Sequence, residues 1–463
     1  MTDTAAAAPV MTTATEPDGA PRVASLDILR GIAILGILFM NINDMGGALW
    51  MMQGSPRRYG WDGADQIAWF VREVLATGTA RCLLEMLFGV GMVILTDRAA
   101  SAIGRSGEGG RLRRIGRWLF GPWAVMRAYY WRNIVLFVFG LIHVFVLLWP
   151  GDILHTYGLA ALVAFLFRRL GPRTLVAIGS LMALAMLVGG TIGMVTVSHQ
   201  IAETKRIEAK QSAGQAITDK ERKTLKDAAD SKARRDKNRA ENDQRIAAED
   251  QARRPDTGTF ATWAAKQWDV FLTLQSWGLE LLFVWEAAST MLIGAALYKW
   301  GVIQGRRSPR FYLVTMLLAY AIGIGFRTIV GMNELSEYDG PSVTWATYEL
   351  SRLATTLGHI SLVYLLLGSA FGARLLKPFE AAGRTALTVY IAQTLICLWV
   401  LYPPMMLGLY AKHSWAVWMA TALVINLLLL WGANLWVQRY RIAPVEWAWR
   451  SIIAMKPLPF RRA

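Results

Sequence analysis

His143, Asp152 and His155 fall within thirteen residues of one another, with the short turn Trp149-Pro-Gly151 between them. An i, i+3 spacing puts Asp152 and His155 on one helix face, and the turn folds His143 back toward them. A carboxylate that orients an imidazole is what proton transfer near neutral pH requires, so these three residues are the catalytic candidates. A structural hydrogen bond closing a hairpin would use the same groups. No H-E-x-x-H or comparable spacing accompanies them, and no metal is expected.

Other polar residues interrupt apolar sequence, where a charge costs at least about 2.5–3.5 kcal/mol and is a functional candidate by default. Asp27 and Arg30 lie one turn apart. Asn41 returns to within about 20° of the Arg30 face, roughly 16 Å further along the axis. An arginine so placed can grip a phosphate or carboxylate, or pair with Asp27 and anchor the helix end. Arg81 and Glu85 are spaced i, i+4, which favours a self-contained pair. Glu286, Arg327 and His359 complete an intramembrane polar cluster, in which Glu286 is expected to be protonated or paired with one of the other two. Arg384 and Gln393 add a cation and an amide, making a substrate or cofactor-binding set of Asp27, Arg30, Asn41, Arg384 and Gln393.

These residues need a membrane scaffold. The 463 residues are 54% hydrophobic and include 20 tryptophans. Apolar runs near the ~20 residues of a bilayer-spanning helix recur along the chain. They predict an all-α polytopic protein with ten spans: 26–45, 77–96, 131–149, 152–168, 174–198, 273–298, 311–330, 348–370, 385–402 and 415–437. Cys82 and Cys397 each fall in a span, which leaves no disulfide framework.

Basic residues crowd alternate loops. Arg98, Arg105, Arg111, Arg113, Arg114, Arg117 and Arg127 follow the second span, while 331–347 holds Glu334, Glu337 and Asp339 without Lys or Arg. The positive-inside rule then puts both termini on the cytoplasmic side of the membrane. The net charge of +16 reads as topology and attraction to anionic lipid headgroups, with no nucleic acid as partner. Residues 1–24 read as a disordered tail and 441–463 as a basic one, both cytoplasmic. Residues 199–258 carry 15 basic and 12 acidic residues. They are expected to form a charged periplasmic helical hairpin between spans 1–5 (25–198) and spans 6–10 (259–440). Thr218–Glu221 has capping-box spacing at the start of its second helix, near 219–252. Such an insert suits an envelope partner or a second copy of the chain.

Four ordered blocks carry a family resemblance. Ser25-Leu-Asp-Ile-Leu-Arg-Gly31 through Asn41, Leu87-Phe-Gly-Val-Gly91, Gly140-Leu-Ile-His143 with Gly151-Asp-Ile-Leu-His-Thr-Tyr157, and Gly383-Arg-Thr-Ala-Leu-Thr-Val-Tyr-Ile-Ala-Gln393 resemble the YeiB-type family of bacterial membrane proteins. The Asp-x-x-Arg-Gly opening is similar to that of acyltransferase-3 and heparan-glucosaminide acetyltransferase-like proteins. That similarity implies acyl transfer from a cytoplasmic acyl-CoA donor to a small-molecule, glycan or lipid-linked acceptor outside. In acyltransferase-3 proteins an essential histidine stands where this chain has Asn41. Asparagine cannot be a general base, so a base must lie elsewhere, at His143 or His155. The alternative is a transporter or lipid-handling protein whose polar residues form a pathway through the membrane.

Overall fold

The computed structural model describes residues 12–15, 21–50, 55–103, 123–338 and 340–461. Of the basic loop after the second span, Arg105, Arg111, Arg113, Arg114 and Arg117 lie outside the described residues, as do Asp339 and Arg462. Within the segment read as a disordered tail, Thr12–Thr15 and Pro21–Val23 pair as a short antiparallel ribbon. The longer elements among the described residues are all helices.

The helices are α1 (Ala24–Gly46), α2 (Gly63–Leu75), α3 (Thr79–Ile103), α4 (Trp123–Phe145), α5 (Leu154–Phe165), α6 (Pro172–Gly179), α7 (Leu181–Ser212) and α8 (Asp219–Arg253). After these come α9 (Phe260–Ser276), α10 (Leu279–Lys299), α11 (Pro309–Leu335), α12 (Thr344–Leu367), α13 (Ala370–Arg384), α14 (Ala386–Ile396), α15 (Trp415–Arg439) and α16 (Pro444–Ala454).

Each of the ten expected spans coincides with a helical segment, but two depart from the expected form. Among the described residues eight helical segments are long and apolar enough to cross a membrane. The fourth span is only the twelve residues of α5, roughly 18 Å at 1.5 Å per residue, which is short of the hydrocarbon thickness. The ninth, 385–402, is one limb of a bent pair: α13 and the helical segment Ala386–Leu401 meet at 78°, and counting the pair as one span would raise the count to nine. Length-based reading misses such breaks because composition does not report the axis.

Side chains such as Leu184, Val188 and Ile192 on α7, Leu317 and Leu318 on α11, and Leu427, Leu428 and Trp431 on α15 are exposed. That outer apolar surface is what hydrocarbon, not water, solvates.

Small residues set how closely the inner helices approach. A methyl group at Gly89 of α3 would lie 1.8 Å from the Met291 carbonyl oxygen, and one at Gly294 of α10 would lie 2.2 Å from that of Met86. The two backbones therefore touch, which fixes the register of α3 against α10. Gly91, two residues on, has open space around it.

Of the charged insert, residues 199–212 continue α7 without a break, and α8 is the one helix that lies wholly within it. Thr218 caps α8 in a capping box with Glu221, and Gly214 takes the left-handed conformation in the turn. The tip is solvated, but the base of α8 is not. Glu249 accepts from the backbone N–H of Leu49 at 3.0 Å, and Arg253 donates to the Gly47 carbonyl at 3.0 Å. Asp250 accepts from Tyr410 at 2.9 Å and pairs with Arg58 at 2.9 Å. The C-terminal segment is also ordered. Glu446 of α16 accepts from the first-turn amide of Leu387 at 2.6 Å and so caps α14.

Two predictions follow from this packing. Gly89→Ala, whose methyl meets backbone, should lower stability by about 1–3 kcal/mol, while Gly91→Ala should leave it unchanged. Thermal unfolding in detergent followed by size-exclusion would register the contrast. At the hairpin tip, the Thr218 backbone N–H and then Lys210 pull the Glu221 carboxyl from 4.5 to about 2. A depressed folded value stabilises above the unfolded one, so the α8 N-terminus should hold above pH 4.5 and fray as pH falls toward 2. Hydrogen exchange of the first-turn amides, corrected for intrinsic pH dependence, should show that step in the native chain and lose it in Glu221→Gln.

Candidate functional site

Two buried polar networks share α10. In the first, Arg352 of α12 is fully buried. Its guanidinium donates to Glu85 of α3 at 2.8 Å, to Thr290 at 2.8 Å and to Glu349 at 2.9 Å, and it pairs with Glu286 of α10 at 3.0 Å. Arg81 reaches Glu286 as well, and lies 3.6 Å from Glu85. Three carboxylates thus surround two guanidiniums across three helices. The planar five-donor fork of arginine suits that task, because each carboxylate can meet its own N–H.

This arrangement corrects two expectations. Arg81 and Glu85 are not a self-contained pair, since the shorter contact of Glu85 is with Arg352. Nor does Glu286 pair with Arg327 or His359. Those two cap the end of α2: Arg327 donates to the carbonyls of Glu73 at 3.3 Å and Val74 at 3.5 Å, and His359 Nε2 donates to that of Leu75 at 2.9 Å. The Tyr320 hydroxyl then donates to His359 Nδ1 at 2.8 Å. Both residues satisfy carbonyls that the break before α3 leaves open.

The second network contains the catalytic candidates. A methyl on Gly140 would lie 2.2 Å from the His155 backbone nitrogen, so α4 and α5 cross in contact there. Asp152 lies in the turn between them and accepts from His143 Nδ1 at 2.7 Å and from His155 Nδ1 at 2.9 Å. The His155 backbone N–H adds 3.0 Å and the Tyr390 hydroxyl 3.4 Å. With Asp152 accepting at Nδ1, His143 Nε2 is left as an acceptor, and the Thr394 hydroxyl of α14 lies 2.9 Å from it. On the other side, His155 Nε2 lies 3.1 Å from Glu280 of α10, which also accepts from Thr156 at 3.0 Å. The line therefore runs Thr394, His143, Asp152, His155, Glu280, from a fully buried hydroxyl to a partly exposed carboxylate. The Tyr157 hydroxyl donates to the Arg81 carbonyl at 3.1 Å and joins it to the first network.

The proposed binding residues lie apart from both. Arg30 pairs with Asp27 at 2.7 Å at the start of α1. A methyl on Gly383 would lie 1.8 Å from the Asp27 carbonyl, so Arg384 is held at the same end of the bundle. Gln393 donates to the Ile34 carbonyl at 3.1 Å and to Asn426 at 3.2 Å, within the core. Asn41 is half-buried on the late turns of α1, in neither network. Among the described residues no group of three or more His, Cys, Asp or Glu side chains is arranged to hold a metal ion.

Sequence reasoning missed Glu280, Glu349, Arg352 and Thr394. Glu349 and Arg352 were legible as an i, i+3 pair just inside the eighth span, by the cost of burying charge. Glu280, seven residues inside the sixth span, carried the same signal; Thr394 carries none.

The molecule is a polytopic all-α membrane protein. Residues 297–456 match the family described as "Protein of unknown function (DUF418)". Along nearly its whole length the chain is similar to two bacterial proteins. It is 26% identical to "Uncharacterized protein YeiB" of Escherichia coli (strain K12) over 442 residues, 93% of this chain and 96% of that one. It is 28% identical to "Uncharacterized protein YxaH" of Bacillus subtilis (strain 168) over 436 residues, 93% and 94% of the two chains. No solved structure matches. These matches support the YeiB-type family, whose function is not established; they do not show similarity to acyltransferases.

Removing the Arg352 guanidinium takes its paired cation from Glu349 and leaves Arg81 to serve both Glu85 and Glu286 in a dry interior. Arg352→Met should cost about 3–5 kcal/mol, and Arg352→Lys should recover only part of it because an ammonium lacks the planar fork. The midpoint of thermal unfolding of each variant in matched detergent gives the comparison.

Proposed function

We propose that this protein transfers an acyl group from a thioester donor to a hydroxyl acceptor within the membrane. The observation that supports this best is the hydroxyl, imidazole and carboxylate of Thr394, His143 and Asp152 in one hydrogen-bonded line. Asp152 fixes the tautomer of His143 and stabilises the imidazolium that forms when Nε2 takes a proton. His143 is the base in this reading. His155 lies between two carboxylates and donates to both, which leaves it no nitrogen to accept a proton. Its part is to hold Asp152 in place.

In this proposal the termini and the basic loops face the cytoplasm of a bacterial inner membrane. An acyl-CoA donor docks by its phosphates near Arg30 and Arg384, and the acceptor enters from the side that carries the charged hairpin. The reading as a transporter rests on the same intramembrane charges. Arg81, Glu85, Glu286, Glu349 and Arg352 are bound to one another across three helices, however, which suits a lock better than a pathway.

The purified full-length protein in lipid nanodiscs should release free thiol from acetyl-CoA. His143→Gln and Asp152→Asn should each reduce that release by roughly 10²–10⁴-fold while eluting as folded protein. Absence of thiol release from the native chain, over a series of acyl lengths, would remove the enzymatic reading and leave transport.

A further inference from the structure

We propose that Thr394 is the nucleophile of this reaction and carries the acyl group as a covalent ester between donor and acceptor. The inference rests on the acyl-transfer reading above and adds a step to it.

Threonines inside helices ordinarily satisfy their hydroxyl on the carbonyl four residues back. Thr96, Thr290, Thr347, Thr356 and Thr385 do this here, at 2.8 to 3.0 Å. The Thr394 hydroxyl is instead 2.9 Å from His143 Nε2. That is the nucleophile-to-base contact of a triad, with the base oriented in turn by Asp152. The local backbone is also unusual. Thr394 lies in the last turn of α14, just before the π-helical turn Cys397–Leu401, and such turns concentrate at functional sites. Its neighbour Gln393 is fixed by Asn426 and the Ile34 carbonyl, so the turn that presents Thr394 is held from the far side.

The chemistry balances in two half-reactions. In the first, Oγ1 of Thr394 attacks the thioester carbonyl carbon as His143 Nε2 takes its proton. The carbon–sulfur bond breaks, and the proton passes to the leaving thiolate to give free thiol. In the second, His143 takes the proton of the acceptor hydroxyl, whose oxygen attacks the new ester. The bond from acyl carbon to Oγ1 breaks and the proton returns to Oγ1. Nothing is oxidised or reduced. Thr394 is fully buried, so water is kept from the intermediate.

The test is to incubate the full-length protein in nanodiscs with acetyl-CoA alone, count thiol released per chain, and read the Thr394 peptide by mass spectrometry. The expected result is a burst near one equivalent with an acetyl ester on Thr394. Thr394→Ser should retain the burst, and Thr394→Val, which keeps the side-chain shape, should lose it by roughly 10²–10⁴-fold or more. Steady thiol release in Thr394→Val at the native rate, with no acyl-protein in either form, overturns the covalent step and leaves His143 acting directly on the acceptor. No thiol release from the native protein overturns the reading and the covalent step together.

Discussion

The burial of Arg352 is the constraint on which this bundle turns. A guanidinium taken out of water must recover its hydration from protein acceptors, and here four groups on three helices supply them: Glu85, Glu286, Glu349 and Thr290. None of these can be lost without stranding charge in a medium that solvates it poorly. The network therefore specifies which faces of α3, α10 and α12 meet, in a membrane where apolar contact alone discriminates little between alternative pairings. Close approach at Gly89 and Gly294 makes the geometry attainable, because a side chain at either position would hold the carboxylates apart.

With α10 fixed in this way, the second network follows from it. Glu280 and Glu286 lie six residues apart on that helix, about 9 Å along its axis. One partners His155 and the other Arg352. The short helix α5 is thus braced through its first turn, with His155 and Thr156 on Glu280 and Tyr157 on the Arg81 carbonyl. A catalytic imidazole needs such bracing, since small displacements of a base from its proton cost orders of magnitude in rate. Stability and candidate chemistry therefore draw on the same helix.

Hydropathy made most of the fold legible. The apolar runs marked the helices, and the capping box at Thr218 marked the start of α8. The pairing of His143, Asp152 and His155 was legible too, because a Trp-Pro-Gly turn leaves the chain few ways to separate them. What escaped was long-range. Glu286 was assigned to Arg327 or His359 since all lay in mid-span, whereas Arg352 was overlooked near a span boundary whose position hydropathy fixes poorly. Thr394 escaped because a threonine in an apolar span reads as an ordinary helix residue. Only the crossing of α4 with α14 turns it into the partner of an imidazole.

The charged insert belongs to the same logic. A solvated hairpin would place its buried residues anywhere, yet the base of α8 spends Glu249, Asp250 and Arg253 on the loop that follows α1. Arg253 also lies 4.3 Å from the Tyr410 ring centroid, so it ties the α1 loop to the segment before α15. The same α1 bears Asp27 and Arg30 at its far end. Its two ends are thus held by different devices: the α8 base at one, and at the other the close backbone approach of α1 and α13 at Gly31 and Gly383. A helix pinned at both ends transmits little sliding motion, and α13 is locked to it by the same backbone contacts. Arg384 ends α13 at the 78° bend, and Thr394 lies ten residues on in α14, roughly 15 Å along its axis, so one bent pair holds both a cation beside the start of α1 and the hydroxyl beside His143.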